Sequence, residues 1–214
     1  MCSHGDVPSW SVVVPAKRLA VAKTRLRPLT RAVGDVHDEL VLALLADTVA
    51  AARACPVVAE VVVVTDDPAA DELVRGLGAR TVADEPDAGL NPALEHAARG
   101  LAGPVAALSS DLPALRAAEL AEALGAADDV RRGFVADAHG TGTTLLTAVG
   151  EPLRPAFGPG SAAAHRAGGA VALVGTWPGL VRDVDTDADL RAAMALGAGP
   201  RTTALLGRLL PAGL

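Results

Sequence analysis

Apolar positions along this chain follow two alternating rhythms. Short β-branched or aliphatic runs are separated by longer segments whose apolar residues return every three or four positions. The runs Ser11–Val14, Val61–Thr65, Arg80–Ala83, Val105–Leu108, Gly133–Asp137, Thr144–Val149 and Val171–Val174 read as strands. Between them fall helical patterns. The first covers about 35–54 and is apolar on most sides, which predicts a buried helix. Others follow Asp66-Asp67-Pro68, open at Asn91-Pro92 to cover Ala93–Leu101, and span about 117–126. A short helix follows Ser161, another runs from the Asp183–Thr186 stretch to about Leu196, and Pro200 starts the last. Strands alternating with helices predict an α/β fold, three-layered, with helices on both faces of a mixed, mainly parallel sheet. The strands flanking AHGTGT are spaced as a hairpin, which would place an antiparallel segment inside that sheet. No repeat or linker divides the chain, so residues 9–214 are expected to form a single domain behind a disordered stretch over 1–8.

Composition narrows the function classes. The net charge is −6, aromatics are 2% of the 214 residues, and there is no Tyr. A nucleic-acid partner usually calls for a basic face and stacking rings, so this composition argues against one as the main partner. No apolar run approaches the ~20 residues needed to span a bilayer, and the N-terminus lacks the pattern of a signal peptide. With only Cys2 and Cys55, a reducing, cytoplasmic location is expected.

Lysine usage says more than net charge. Of 19 basic residues only Lys17 and Lys23 are lysine, and both lie in PAKRLAVAKTRL, directly after the first strand. With Arg18 and Arg25 they form a loop of cations at the carboxyl end of a strand, the edge where open α/β sheets hold ligands. A triphosphate suits such a loop, although the Walker A and G-x-G-x-x-G patterns are both missing. A solvated basic loop is the plainer alternative.

Acidic residues follow the same geography. Asp111 comes just after the strand that ends VAALSS, where one carboxylate suits Mg²⁺ shared with substrate phosphates. It equally suits the turn before Pro113. In Asp183-Val184-Asp185 an extended backbone would point both carboxylates to one side, where they repel unless a cation lies between them. The competing role is helix capping by Asp185 or Thr186. Two loops, Gly140-Thr141-Gly142-Thr143-Thr144 and Phe157-Gly158-Pro159-Gly160-Ser161, could offer amides and hydroxyls to an anion, or serve simply as turns. His4, His37, His96, His139 and His165 show neither metal-ligand spacing nor a partnered nucleophile, and read as surface or helix-end residues.

The ordered motifs PAKRLAVAKTRL, SSDLPAL, HGTGTTLL, FGPGSAAAHRAGGA and RDVDTDADL span almost the whole chain. Together they resemble the guanylyltransferases of coenzyme F420 biosynthesis, which join GTP to 2-phospho-L-lactate or phosphoenolpyruvate. The resemblance implies a nucleotide-diphospho-sugar-transferase-like fold, pyrophosphate release and two Mg²⁺ ions. By motif, Asp111, Asp183 and Asp185 look like the metal ligands, and Thr143, Gly158 and Ser161 like contacts for the phosphorylated acid. Lys17 and Lys23 look like triphosphate contacts and, with Asp111, like the catalytic set. Leu90-Asn91 resembles the segment near the base. Ser110 stands where the family usually has Gly, and Gly160 where Asp is common.

The Arg-rich, Lys-poor composition resembles that of high-GC actinobacterial members, which implies phosphoenolpyruvate as acceptor and enolpyruvoyl-2-diphospho-5′-guanosine as product. A downstream transferase would take up that product. The alternatives are phospholactate, a molybdopterin or a sugar phosphate as acceptor, or a GTP-binding regulator that releases no pyrophosphate.

Overall fold

The computed structural model describes residues 10–16, 26 and 36–209. The basic loop with Lys17, Arg18, Lys23 and Arg25 lies outside them. Seven strands pair into one sheet: β1 (Trp10–Pro15), β2 (Val58–Val64), β3 (Arg80–Val82), β4 (Val105–Leu108), β5 (Arg132–Ala136), β6 (Thr143–Ala148) and β7 (Val171–Ala172). Their spatial order is β3-β2-β1-β4-β6-β5-β7. All pairings are parallel except those of β6, which runs antiparallel to both β4 and β5. The hairpin expected around AHGTGT is therefore present, and it places the antiparallel strand within the sheet.

The alternation of side chains along β1 explains the layering. Val12 and Val14 face one side and Val13 the other, and all three are fully buried. On the first side they meet α1 (His37–Arg53) through Leu45, Val49 and Ala52, α2 (Pro68–Gly76) through Val74, and α4 (Ala117–Gly125) through Leu120 and Leu124. On the second side lie Ala93, Leu94 and Ala97 of α3 (Leu90–Arg99), and Ala162 of α5 (Ser161–Ala167). Helix α1 is apolar on most sides because it is covered twice. Its Leu40 and Leu44 pack away from the sheet on Leu190 and Ala193 of α6 (Asp187–Leu196), and on Leu205 and Leu206 of α7 (Pro200–Leu209).

Element bounds differ from the sequence expectation in two instructive places. Helix α3 begins one residue early, at Leu90, and Pro92 lies in its first turn as expected, where its missing N–H leaves no bond unmade. Strand β7 stops at Ala172. It is an edge strand paired only with Gly133 and Phe134 of β5, so its last expected residue, Val174, is 90% exposed.

Chain order reverses at the centre of the sheet. From β1 the chain steps outward to β2 and β3, and from β4 it continues to the opposite side. The gap between the carboxyl ends of β1 and β4 is the topological switch point, where ligands of open α/β sheets bind. β1 ends at this gap and Asp111 follows β4 there.

Candidate active site

Beyond β4 the chain stays paired for one more step: the Ser109 amide donates to the Thr144 carbonyl at 2.8 Å. Two residues later Asp111 is buried. Its peptide is fixed from both sides. The Thr48 hydroxyl of α1, itself donating to the Leu44 carbonyl at 2.8 Å, accepts the Leu112 N–H at 2.9 Å. On the other side the Val184 N–H donates to the Asp111 carbonyl at 3.1 Å. That bond joins the two acidic elements, because Val184 is the middle residue of Asp183-Val184-Asp185.

Burial along this stretch alternates. Val184 is fully buried, Asp183 is half-buried and Asp185 exposed, so the carboxylates lie on the side away from the core. The cap of α6 is Thr186, in a reciprocal box with Asp189, so the capping role falls to the threonine and not to Asp185. The Asp189 carboxylate accepts from the Thr186 hydroxyl at 2.7 Å, the Thr186 amide at 2.9 Å and the Asp185 amide at 3.4 Å. Burial works against its ionisation, but the hydrogen bonds from Thr186 and Asp185, with His139 nearby, outweigh burial and hold its pKa below the usual carboxylate range. Asp67, in contrast, serves as a cap, accepting the Ala69 and Ala70 amides of α2.

Among the described residues no three carboxylate, imidazole or thiol groups are gathered closely enough to hold an ion by themselves. The donors offered by Asp111, Asp183 and Asp185 are hard oxygens on adjacent segments. Carboxylate oxygens are the donor type Mg²⁺ takes, one or two at a time, with water and substrate phosphates completing its shell.

The two glycine loops prove to be built differently. In the first, the Asp137 carboxylate accepts the amides of His139, Thr141 and Gly142 at 3.1, 2.9 and 2.8 Å. Those donors are committed inside the loop and are not offered to an anion. A Cβ at Gly142 would run into that carboxylate, which accounts for the glycine. The loop ends at Thr143, the first residue of β6, whose side chain is buried at the same sheet edge as Asp111.

The second loop carries Gly158 and Gly160 at φ of +136° and +72°, backbone that favours glycine. Gly160 is the N-cap of α5, without a side-chain cap bond, and it fills by backbone freedom the place where the resembling family commonly has Asp. The Ser161 amide donates to the Gly158 carbonyl and the Ala162 amide to the Thr141 carbonyl, both at 3.1 Å, so the two loops are joined. Asn91 fixes the loop from α3: its amide nitrogen donates to the Phe157 carbonyl at 3.0 Å, and its oxygen accepts the Phe157 N–H at 2.8 Å. The expected base-side residue Asn91 is thus also the clamp of the expected acceptor loop, while its neighbour Leu90 packs against the core on that face.

His165 departs from the sequence expectation. It is buried, its Nδ1 lies 2.9 Å from the Thr143 hydroxyl, and its Nε2 accepts the Ala156 N–H at 2.8 Å. Burial, and after it the positive charge of Arg132, push its pKa down. His37 is buried as well, whereas His96 and His139 are exposed as expected. The signal for His165 was spacing: it follows Ser161 by four residues on α5 and therefore shares its face.

Known proteins resemble this chain over almost its full length. A family profile described as "Guanylyl transferase CofC like" matches residues 10–210. The phosphoenolpyruvate guanylyltransferase of Geodermatophilus obscurus is 68% identical, covering 94% of this chain and 95% of that protein. The enzyme of the same name from Thermomonospora curvata is 56% identical, covering 97% and 92%. Among solved structures, a putative nucleotide-diphospho-sugar transferase from Desulfovibrio desulfuricans superimposes with a TM-score of 0.66 at 17% identity, covering 92% of this chain and 94% of that one. A nucleotidyl transferase from Methanothermobacter gives 0.60 at 21% identity, covering 88% and 97%. At those identities the structural likeness establishes the shared fold.

Proposed function

The chain belongs to the CofC-like guanylyl transferase family, and on that premise we propose that it joins the guanylyl group of GTP to phosphoenolpyruvate in the cytoplasm, releasing pyrophosphate. The product is enolpyruvoyl-2-diphospho-5′-guanosine, an intermediate of coenzyme F420 biosynthesis handed to a downstream transferase. The observation that carries this reading is the backbone bond from Val184 to Asp111. It puts two acidic elements side by side just beyond β4, at the sheet edge where β6 begins with Thr143.

A phosphate oxygen of the acceptor attacks the α-phosphorus of GTP, the bond from that phosphorus to the β-phosphate oxygen breaks, and pyrophosphate departs. The attacking oxygen is already an anion, so no general base is required. The acceptor is held by the Thr143 and Ser161 hydroxyls and the Gly158 backbone. Lys17 and Lys23 bear the triphosphate and stabilise the charge that collects on the leaving pyrophosphate, with Arg18 and Arg25 adding positive field. Leu90 and Asn91 border the nucleotide. Asp111, Asp183 and Asp185 would hold two Mg²⁺ ions, which supply neutralisation of the facing phosphate charges.

A single-turnover experiment with enzyme in excess and GTP labelled at the α-phosphorus tests the reaction. Label should pass into a new species with phosphoenolpyruvate and not with 2-phospho-L-lactate or a sugar phosphate. Transfer to phospholactate alone would correct the acceptor. Label that stays in GTP, or passes only to GMP, would refute guanylyl transfer.

A further inference from the structure

The imidazole of His165 is held at both nitrogens inside the protein. A backbone N–H can only donate, so the bond from Ala156 makes Nε2 an acceptor that carries no proton. A neutral ring must then carry its proton on Nδ1, which faces the Thr143 hydroxyl at 2.9 Å. Protonating the ring would turn Nε2 into a second donor facing the Ala156 N–H. Burial and the charge of Arg132 both favour the neutral form. Packing leaves the ring little freedom to flip: Phe157 meets it edge-on with centroids 5.2 Å apart, and Phe134 lies tilted at 6.1 Å.

The consequence falls on Thr143. Its oxygen receives the Nδ1–H proton, so the hydroxyl's own proton points elsewhere, free to be given to an anion. The same ring fastens Ala156, the residue before Phe157, to the start of β6. We propose that His165 is a positioning residue of the acceptor site: as the fixed Nδ1–H tautomer, held by the Ala156 N–H, it makes the Thr143 hydroxyl a donor to the anionic acceptor. This rests on the reading of Thr143 as an acceptor contact.

Two amide variants separate the two bonds. Asn at 165 places an N–H near the Nδ1 position and leaves Ala156 without an acceptor. Gln places its carbonyl near the Nε2 position and leaves Thr143 without a donor. The full-length H165Q is expected to raise the KM for phosphoenolpyruvate about 10-fold or more, with the KM for GTP unchanged. H165N should stay within a few-fold of wild type in both. Equal defects in the two variants, or KM values for both substrates rising together, would overturn the proposal.

Imidazole ¹⁵N chemical shifts of the unmutated protein provide a check that no folding defect can confound. Near neutral pH they should report a protonated Nδ1 and a bare Nε2 at His165, and the opposite tautomer or an imidazolium would refute the arrangement. Loss of the functional reading is distinguishable from loss of this one. If wild type transfers guanylyl to no phosphorylated acid, the reading of the acceptor fails. If wild type is active and the variants do not split, the positioning role fails.

Discussion

Two carboxylates on one side of an extended stretch repel each other, and a cation between them relieves the repulsion. Val184 sits buried between Asp183 and Asp185 and leaves their side chains on the outward side. Asp183→Ala should therefore leave the fold intact and lower kcat by several powers of ten at saturating Mg²⁺, on the order of 3–5 kcal/mol of barrier. Near-normal turnover in a variant with unchanged circular dichroism would remove Asp183 from the ligand set. His165 predicts an acid-sensitive stability. Its folded pKa lies below the ordinary 6.5, so under that value the unfolded chain binds the proton more readily. The stability contribution is complete above pH 6.5 and declines as pH falls from there toward the folded-state pKa. Urea unfolding above and below pH 6.5 should show wild type losing more stability on acidification than H165N, and an equal loss would contradict the assignment.

At the scale of elements, helices brace the site from a distance. Asp47, buried in α1, accepts the Arg201 and Thr202 amides at 3.1 and 2.8 Å and so caps α7 from across the fold. Asp47→Ala leaves two helix-start donors without that partner and should cost about 2 kcal/mol, read as a lower urea midpoint at unchanged m-value. Gly142→Ala forces a methyl against the Asp137 carboxylate and should loosen the loop that leads into Thr143. The expected signature is a loss of about 1–3 kcal/mol together with a raised KM for the acceptor. These supports also mark where the sequence stopped being legible. Strands and helices could be placed from periodicity because each obeys a local rule, and β4 begins and ends where its apolar run does. Motif and strand-edge position pointed to Asp111 and the D-V-D pair, and the structure joins those two segments through one backbone bond. The clamp of Asn91 on Phe157 spans 66 residues, and the contact of His165 with Thr143 spans 22. Neither has a local pattern, so only the folded chain reveals them. Asp137 was hidden for another reason: as the last residue of a predicted strand it carried no sign that it would collect three loop amides.

At the scale of the whole molecule, topology does much of the assembly. Reversal of strand order between β1 and β4 opens the crevice, and the antiparallel β6 returns Thr143 to the same sheet edge as Asp111. The backbone bond from Val184 then brings the distant D-V-D stretch alongside. The central claim is a phosphate-accepting, metal-assisted guanylyl transfer at that edge, and pyrophosphate release tests it most directly. With GTP and Mg²⁺, the intact chain should release pyrophosphate when phosphoenolpyruvate is present and stay silent without an acceptor or after chelation of the metal. With enzyme stoichiometric to GTP, a product that must otherwise be drawn off cannot conceal the first turnover. Release that ignores the acceptor, or no release with phosphoenolpyruvate under those conditions, would contradict the account.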